Sequence, residues 1–388
     1  MLRTSRSFCL LSFAIQSVIC LAQQPQQPQP PQPLPTPAMT GPLQTAPPFA
    51  FDAGPFGKLD LTGVISGIGL VQSNHVPGDE TAQADLSNGQ VFVQKTEGWW
   101  QFYLQAGAYN IPILGTPFLS TADTISDFWG PLPVAFLKLV PTKAVSILIG
   151  KLPSLIGAES TFDFQNMNIE RGLLWNQENS VDRGLQVNGS FGKLTASFSW
   201  NDGFYSNRYS WLTGSLAYAF NAANTLSFDA GGNLGQTAFR TSATPVQDNG
   251  SIYNLIYTYT KGNWIIQPYF QFTDVPTNQK IGILQGAATR GGALLVNYNF
   301  PHHLSLAGRG EYISSTGTAS EHGVDLLFGP GSGGWSLTVT PTFQDHAFFV
   351  RGDFSLVQAT RLTPGNGFGQ SGTNRNQARG VIEAGFMF

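Results

Sequence analysis

Two kinds of connection alternate without a break over residues 59–388. Tight turns fall at Glu97-Gly98, Pro141-Thr142-Lys143, Phe191-Gly192-Lys193, Asn221 to Asn224, Lys261-Gly262-Asn263, Pro301 to His303 and Gln344 to His346. Longer polar stretches lie near 73–87, 110–131, 152–180, 202–209, 236–250, 274–287, 315–333 and 358–376. The segments between them are short and alternate apolar with polar residues, which is the period of a strand and not of a helix. Seven tight and eight long connections join sixteen strands, the first beginning near Leu59 and the last ending at Phe388. The pattern predicts an all-β fold, a closed antiparallel up-and-down barrel of sixteen strands, with eighteen as the next choice. Segment 322–329 is assigned to a loop, because a strand there would break the alternation.

The faces of these strands say what surrounds them. Strand 263–272 puts Trp264, Ile266, Pro268, Phe270 and Phe272 on one side and Gln267, Tyr269 and Gln271 on the other. Strand 304–312 separates Leu304, Leu306 and Tyr312 from Arg309 and Glu311; strand 348–356 separates Phe348, Val350, Phe354 and Leu356 from Arg351 and Asp353. In the last strand Gly380, Ile382, Ala384, Phe386 and Phe388 oppose Arg379 and Glu383. A soluble sandwich also has one polar face. Here, however, aromatics collect beside the tight turns, at Trp99, Trp100, Phe191, Phe220, Trp264, Phe300, Phe348 and Phe388. Such a girdle marks a membrane interface, and an even strand number with short turns at one end marks an outer-membrane barrel. The composition agrees: 11% of residues are charged, 12% are aromatic, 44 are glycine and the mean hydropathy is −0.05. A net charge of −3 with no basic patch argues against a nucleic-acid partner.

The N-terminus has the form of an export signal over residues 1–22, with Arg3 and Arg6 before an apolar run from Phe8 to Ala22. Cleavage there would remove two arginines and both cysteines, Cys9 and Cys20, so the mature charge would be 18 − 23 = −5. Residues 23–55 are rich in Pro and Gln up to about residue 50 and are expected to form a disordered linker ahead of a barrel over 56–388.

Four stretches carry a family resemblance: IGKLPSLIGAESTF (149–162), NMNIERGLLWNQENSVDRG (166–184), NDGFYSNRYSWLTGS (201–215) and the arginine-bearing strands near the C-terminus. They resemble the OmpL-like β-barrel porins of Gram-negative bacteria, over roughly residues 55–388. The resemblance implies passive solute passage through the bacterial outer membrane. The terminal Phe386 and Phe388 resemble the signal read by the barrel assembly machinery.

On the inner face, Gln267, Tyr269, Gln271, Arg309, Glu311, Arg351, Asp353, Arg379 and Glu383 are the expected pore lining. The charges fall as Arg309 with Glu311, Arg351 with Asp353 and Arg379 with Glu383. An arginine facing lipid at mid-bilayer would cost about 2–4 kcal/mol, whereas a water-filled lumen tolerates it. The third long loop carries Glu159, Asp163, Glu170, Arg171 and Glu178 among Phe162, Phe164, Leu173, Leu174 and Trp175. So many large apolar residues predict a loop folded onto the inner wall, with its carboxylates at the constriction. That arrangement predicts a mild cation preference.

Small hydrophilic solutes and outer-membrane lipid are the expected partners, and a homotrimer is left open. Two alternatives stand beside the porin: a carbohydrate-selective channel with Trp175, Tyr205, Tyr209 and Trp211 as a stacking track, and a non-conducting adhesin or envelope anchor. The five histidines have no evident triad partner, and no cysteine cluster, phosphate loop or HExxH motif appears, so neither an enzyme nor a cofactor is expected.

Overall fold

In the computed structural model, residues 37–388 are described; the expected signal at 1–22 and the linker residues 23–36 lie outside them. Among the described residues no helix is long and apolar enough to cross a membrane, which says nothing about crossing by strands. A short strand β1 (Phe49–Asp52) precedes sixteen long ones. These are β2 (Lys58–Gln72), β3 (Ala82–Lys95), β4 (Trp100–Tyr109), β5 (Val134–Thr142), β6 (Val145–Pro153), β7 (Val181–Phe191), β8 (Leu194–Asn201) and β9 (Trp211–Asn221). They continue as β10 (Asn224–Asn233), β11 (Ser251–Lys261), β12 (Trp264–Val275), β13 (Ala287–Asn299), β14 (Leu304–Ser315), β15 (Gly333–Asp345), β16 (Phe348–Thr360) and β17 (Asn376–Met387).

Each of these strands pairs antiparallel with the next, and β17 returns to β2 with Arg379 opposite Gln72 and Met387 opposite Val64. The sheet is therefore a closed barrel of sixteen strands. Closure matters because lipid offers no partner to a free backbone N–H or C=O. The ladder continues through the final residue: Phe388 N donates to Gly63 O at 2.9 Å, and Gly63 N donates to Phe388 O at 2.6 Å. All seven tight turns lie between the expected strands, and segment 322–329 is in a loop. The largest boundary difference is at β3, which begins at Ala82 and so takes six residues from the first long loop.

The outer face is apolar through the middle of the strands, with charges such as Arg290 and Asp274 on it toward the long loops. Phe198, Trp200, Leu216, Phe270, Leu294, Leu337, Phe354 and Ile382 are all exposed there, where bilayer would cover them. The girdle beside the short turns is built of ring contacts, with Trp264–Tyr298 at 4.6 Å, Tyr298–Phe300 at 4.7 Å and Phe348–Phe386 at 5.4 Å. This end is the periplasmic one, since short turns face the periplasm in such barrels.

Over the described part of the 23–55 stretch the structure differs from a disordered linker. Strand β1 pairs with the start of β2, Phe49 opposite Leu61 and Asp52 opposite Lys58, across a turn in which Asp52 Oδ1 accepts from Gly54 N at 2.9 Å. Ahead of β1 the chain enters the barrel, and Leu43 is wholly buried. The physical reason lies on the inner wall, where Val64, Phe92, Tyr103, Phe136, Leu148, Phe349 and Met387 form one buried apolar cluster with Leu43, Phe162 and Phe164.

Candidate functional site

The third long connection, 154–180, leaves β6 and folds across the lumen. Its large apolar residues Phe162, Phe164, Met167, Ile169, Leu173, Leu174 and Trp175 are all buried. Phe164 packs on Phe92 of β3 with ring centroids 5.7 Å apart, and Leu173 and Leu174 join Ile256, Tyr269, Leu295 and Ile313 from β11–β14. Hydrophobic burial thus draws both ends of the loop onto opposite parts of the wall.

Polar groups then fix its register. Arg309 on β14 reaches Glu159 Oε1 at 2.6 Å and donates to the Glu170 carbonyl at 2.7 Å, and its Nε lies 3.5 Å from Glu311. Glu311 accepts from Leu173 N at 2.8 Å, Leu174 N at 3.2 Å and Ser336 Oγ at 2.5 Å. Arg351 on β16 donates to the carbonyls of Asp163, Asn166 and Met167 at 3.1, 2.8 and 3.1 Å. Arg379 on β17 pairs with Glu170 at 3.0 Å, and Asp353 accepts from Glu170 N at 2.8 Å. Asp163 accepts from Asn88 Nδ2 at 2.6 Å and from Ser87 Oγ. Arg171 turns back on its own loop, to the carbonyls of Ile169, Thr161 and Ser160. Its backbone bridges to the second loop, Arg171 N donating to Pro112 O at 2.9 Å and Leu114 N to Arg171 O at 3.0 Å.

The nine expected pore-lining residues all point inward, and the structure places eight of them under the loop. Only Gln267 keeps half-exposed area; Tyr269, Gln271, Arg309, Glu311, Arg351, Asp353, Arg379 and Glu383 are buried. The five expected constriction residues, Glu159, Asp163, Glu170, Arg171 and Glu178, are buried as well. Two of the expected same-strand pairs are re-partnered. Arg351 lies 3.7 Å from Glu383, its register partner on β17, and not against Asp353; Arg379 takes Glu170 and not Glu383. Residues directly opposite on neighbouring strands are about 4.5–5.5 Å apart, closer than two successive inward positions of one strand.

Electrostatics follow burial. Burial raises the Glu178 carboxyl well above the ordinary glutamate range, and neighbouring Glu159 and Asp229 push the same way, against hydrogen bonds from Tyr269 and Gln271. Burial pulls Arg171 below its ordinary value, opposed by Glu159 and Asp163.

The four aromatics of the stacking track are not aligned. Trp175 and Trp211 are buried, Trp211 donating to Asp248 O at 2.7 Å; Tyr205 lies under the Arg183 guanidinium at 3.9 Å; Tyr209 faces outward beside Trp200. Among the described residues no group of three or more His, Cys, Asp or Glu could hold a metal ion.

One side of the lumen is left open by the described residues. On β7–β12, in the periplasmic half, Asn188, Ser190, Thr195, Ser197, Ser215, Thr225, Ser227, Thr258 and Gln267 point inward and remain half-exposed. None of the nine carries a charge; Asp229, in line with Thr225 and Ser227 on β10, is buried. Sequence reasoning missed this division, and it missed the apolar inner wall, although VAFLKLV (134–140) and VSILIG (145–150) are apolar at successive positions and so on both faces.

The family described as "Putative beta-barrel porin-2, OmpL-like" matches residues 58–388. No curated protein matches the chain in sequence. Among solved structures, an anion-selective porin from Comamonas acidovorans superposes with a TM-score of 0.60 at 10% identity, covering 85% of this chain and 99% of its own. The outer-membrane channel DcaP of Acinetobacter baumannii gives 0.58 at 12% identity, covering 88% and 100%. OmpT of Vibrio cholerae, in its trimer form, gives 0.53 at 10% identity, covering 85% and 99%. At these identities the likeness is one of fold.

Proposed function

The chain belongs to the OmpL-like beta-barrel porin-2 family and is an outer-membrane porin; from that premise we propose that its water path runs along β7–β12. The observation that carries this is the uncharged, half-exposed polar wall from Asn188 to Gln267, set against an opposite wall covered by the third loop. Small hydrophilic solutes cross there by diffusion, with hydroxyl and amide groups replacing part of their hydration, and neither catalysis nor a cofactor is involved.

In this reading Arg309, Arg351 and Arg379 brace the loop. Their charges are spent on buried partners, so the field along the path is weak. The proposal therefore replaces a mild cation preference with near absence of charge selectivity. A homotrimer is the proposed assembly, on the analogy of the trimer form of OmpT. Phe386 and Phe388, both outward and half-exposed at the end of the closing strand, are proposed to be read by the barrel assembly machinery.

The test is the reversal potential of the reconstituted protein across a potassium chloride gradient, before and after Ser197→Asp with Ser227→Asp. The parent should reverse near zero, and the double variant should shift toward the cation potential, most at low salt. A strongly selective parent, or a double variant with unchanged reversal potential, places the path elsewhere.

A further inference from the structure

The segment ahead of β1 runs along the inside of the barrel. At the periplasmic mouth, Gln344 on the inner face of β15 holds Gln44 by both of its backbone groups. Gln44 N donates to Gln344 Oε1 at 2.8 Å, and Gln344 Nε2 donates to Gln44 O at 2.8 Å. Four residues earlier the segment touches the third loop. Thr40 N and Gly41 N both donate to Gln165 O, at 2.7 and 2.9 Å, and Gln165 Nε2 returns a bond to Ala38 O at 2.9 Å. Gly41 lies so close to the Asn166 carbonyl that a Cβ there would collide with it. Between these two anchors Leu43 is wholly buried in the cluster of Val64, Phe92, Phe349 and Met387.

Three features separate this segment from the loop it touches. Residues 37–48 carry no charge, whereas the loop is held by ion pairs of Arg309 and Arg379 and by the Arg351 guanidinium on its carbonyls. Its hold is a few hydrogen bonds, one fully buried leucine and the half-buried Met39 packed on the same cluster. Pro37, Pro42, Pro47 and Pro48 remove four N–H donors, so the backbone can lie in an extended form without needing a strand to pair with. The wall beneath it is also anomalous for a channel. Apolar side chains on the inner face of a water-filled barrel would leave greasy area wetted unless something covers them. The third loop covers its upper part, and the segment covers its lower part.

We propose that residues 37–48 are an intrinsic plug of the periplasmic half of the lumen, and that its release, with the third loop staying docked, switches the pore from narrow to wide. This rests on the porin reading above but not on where the open path runs. Seated, the segment occupies space between the constriction and the mouth. Released, it leaves the loop in place, since none of the loop's ion pairs involves it.

The experiment is single-channel recording of the full chain, of a variant lacking residues 25–48, and of Leu43→Asp with Gln344→Ala in the full chain. Heat-modifiable migration confirms that each barrel is folded. The truncated variant should show a severalfold larger and steadier unit conductance. A synthetic peptide of residues 37–48, added from the periplasmic side only, should return it to the small level in a concentration-dependent way. The double point variant should flicker between the two levels. A folded truncated barrel with the parent's conductance overturns the proposal. If truncation prevents folding, unchanged level occupancy in the double point variant overturns it. Loss of all conductance in every form would instead remove the porin reading on which it rests.

Discussion

Arg309 joins the third loop to the wall, and its removal gives the sharpest measure of whether that contact is dry. Its Nη1 lies 2.6 Å from Glu159 Oε1 and donates to Glu170 O at 2.7 Å, with both side chains buried. Two unit charges about 4 Å apart attract by about 4 kcal/mol at an effective dielectric near 20. Desolvation offsets much of that, so the pair as a whole is worth little; losing one member is what costs. In Arg309→Met, Glu311 keeps Leu173 N, Leu174 N and Ser336 Oγ, but Glu159 is left with Gly172 N, at 3.0 Å, as its hydrogen-bond donor and with Arg171 only at longer range. An orphaned buried carboxylate costs about 3–5 kcal/mol. Arg309→Met should therefore lose about that much, and adding Glu159→Gln should restore most of it, a coupling of about 2–3 kcal/mol. Urea unfolding in lipid vesicles reads the barrel, and the fluorescence of Trp175, buried in the same loop, reads loop release. If release precedes unfolding, Trp175 will shift first and the channel will become noisier. A single variant costing under about 1 kcal/mol, the range of a solvated surface pair, or strict additivity of the two changes, would show a hydrated contact and refute the docked loop.

Gly172→Ala should undock the same loop without removing a charge, because a Cβ there would lie 2.6 Å from one Glu311 oxygen and 2.9 Å from a Glu159 oxygen; faster proteolytic cleavage within 154–180 is the readout. Glu178→Gln should raise the thermal midpoint by an amount that grows with pH. The folded state holds the Glu178 proton more tightly than the unfolded chain, so stability falls as pH rises above the ordinary glutamate value of about 4.3 and the penalty is absent below it. Glutamine still accepts from Tyr269 Oη, now 2.8 Å away, so an equal gain at pH 4 and pH 8 would refute the burial account. Deleting Phe388 removes two ladder bonds to Gly63, each worth about 0.5–1.5 kcal/mol; outer-membrane yield should fall far more than that local loss explains, and a normal yield would exclude a recognition role.

The barrel was legible because its determinants are local. A tight turn such as Lys261-Gly262-Asn263 and the alternation of Trp264 to Phe272 each lie within a dozen residues, and lipid enforces the pattern on every strand alike. Inward arginines were legible for the same reason, since parity alone decides their face. Their partners were not. Arg309 is 150 positions from Glu159 and Arg379 is 209 from Glu170, and no periodicity in a loop announces which carboxylate it will offer. The helix Thr121–Asp127 in the second loop was missed too, although its signal is present in Ser120, whose Oγ accepts from Asp123 N at 3.1 Å as an N-cap.

The inner segment is the harder case, and it shows where such information resides. Residues 37–48 look like a linker by every internal criterion: no charge, four prolines and only Met39 and Leu43 as large apolar residues. What specifies their place is the wall. A strand facing lipid on one side and water on the other should alternate strictly, so each departure from alternation on an inner face implies a third layer inside the barrel. Phe92, Phe136, Leu148, Phe349 and Met387 are such departures, gathered on β2–β6, β16 and β17. The strands β7–β10 keep largely polar or small residues on their inner faces through the periplasmic half, and none of the described residues covers them there. On β7–β10 intact alternation thus goes with open lumen, whereas on β11–β14, where Ile256, Leu295 and Ile313 break it, the third loop lies over the wall. A polar substitution such as Phe349→Gln, on the covered side, should loosen the segment and lengthen wide-state openings in the same recordings. The matching outward change Phe354→Gln should lower barrel stability and leave the openings alone. If both act only on stability, the apolar inner wall packs the third loop alone and has no part in holding the segment.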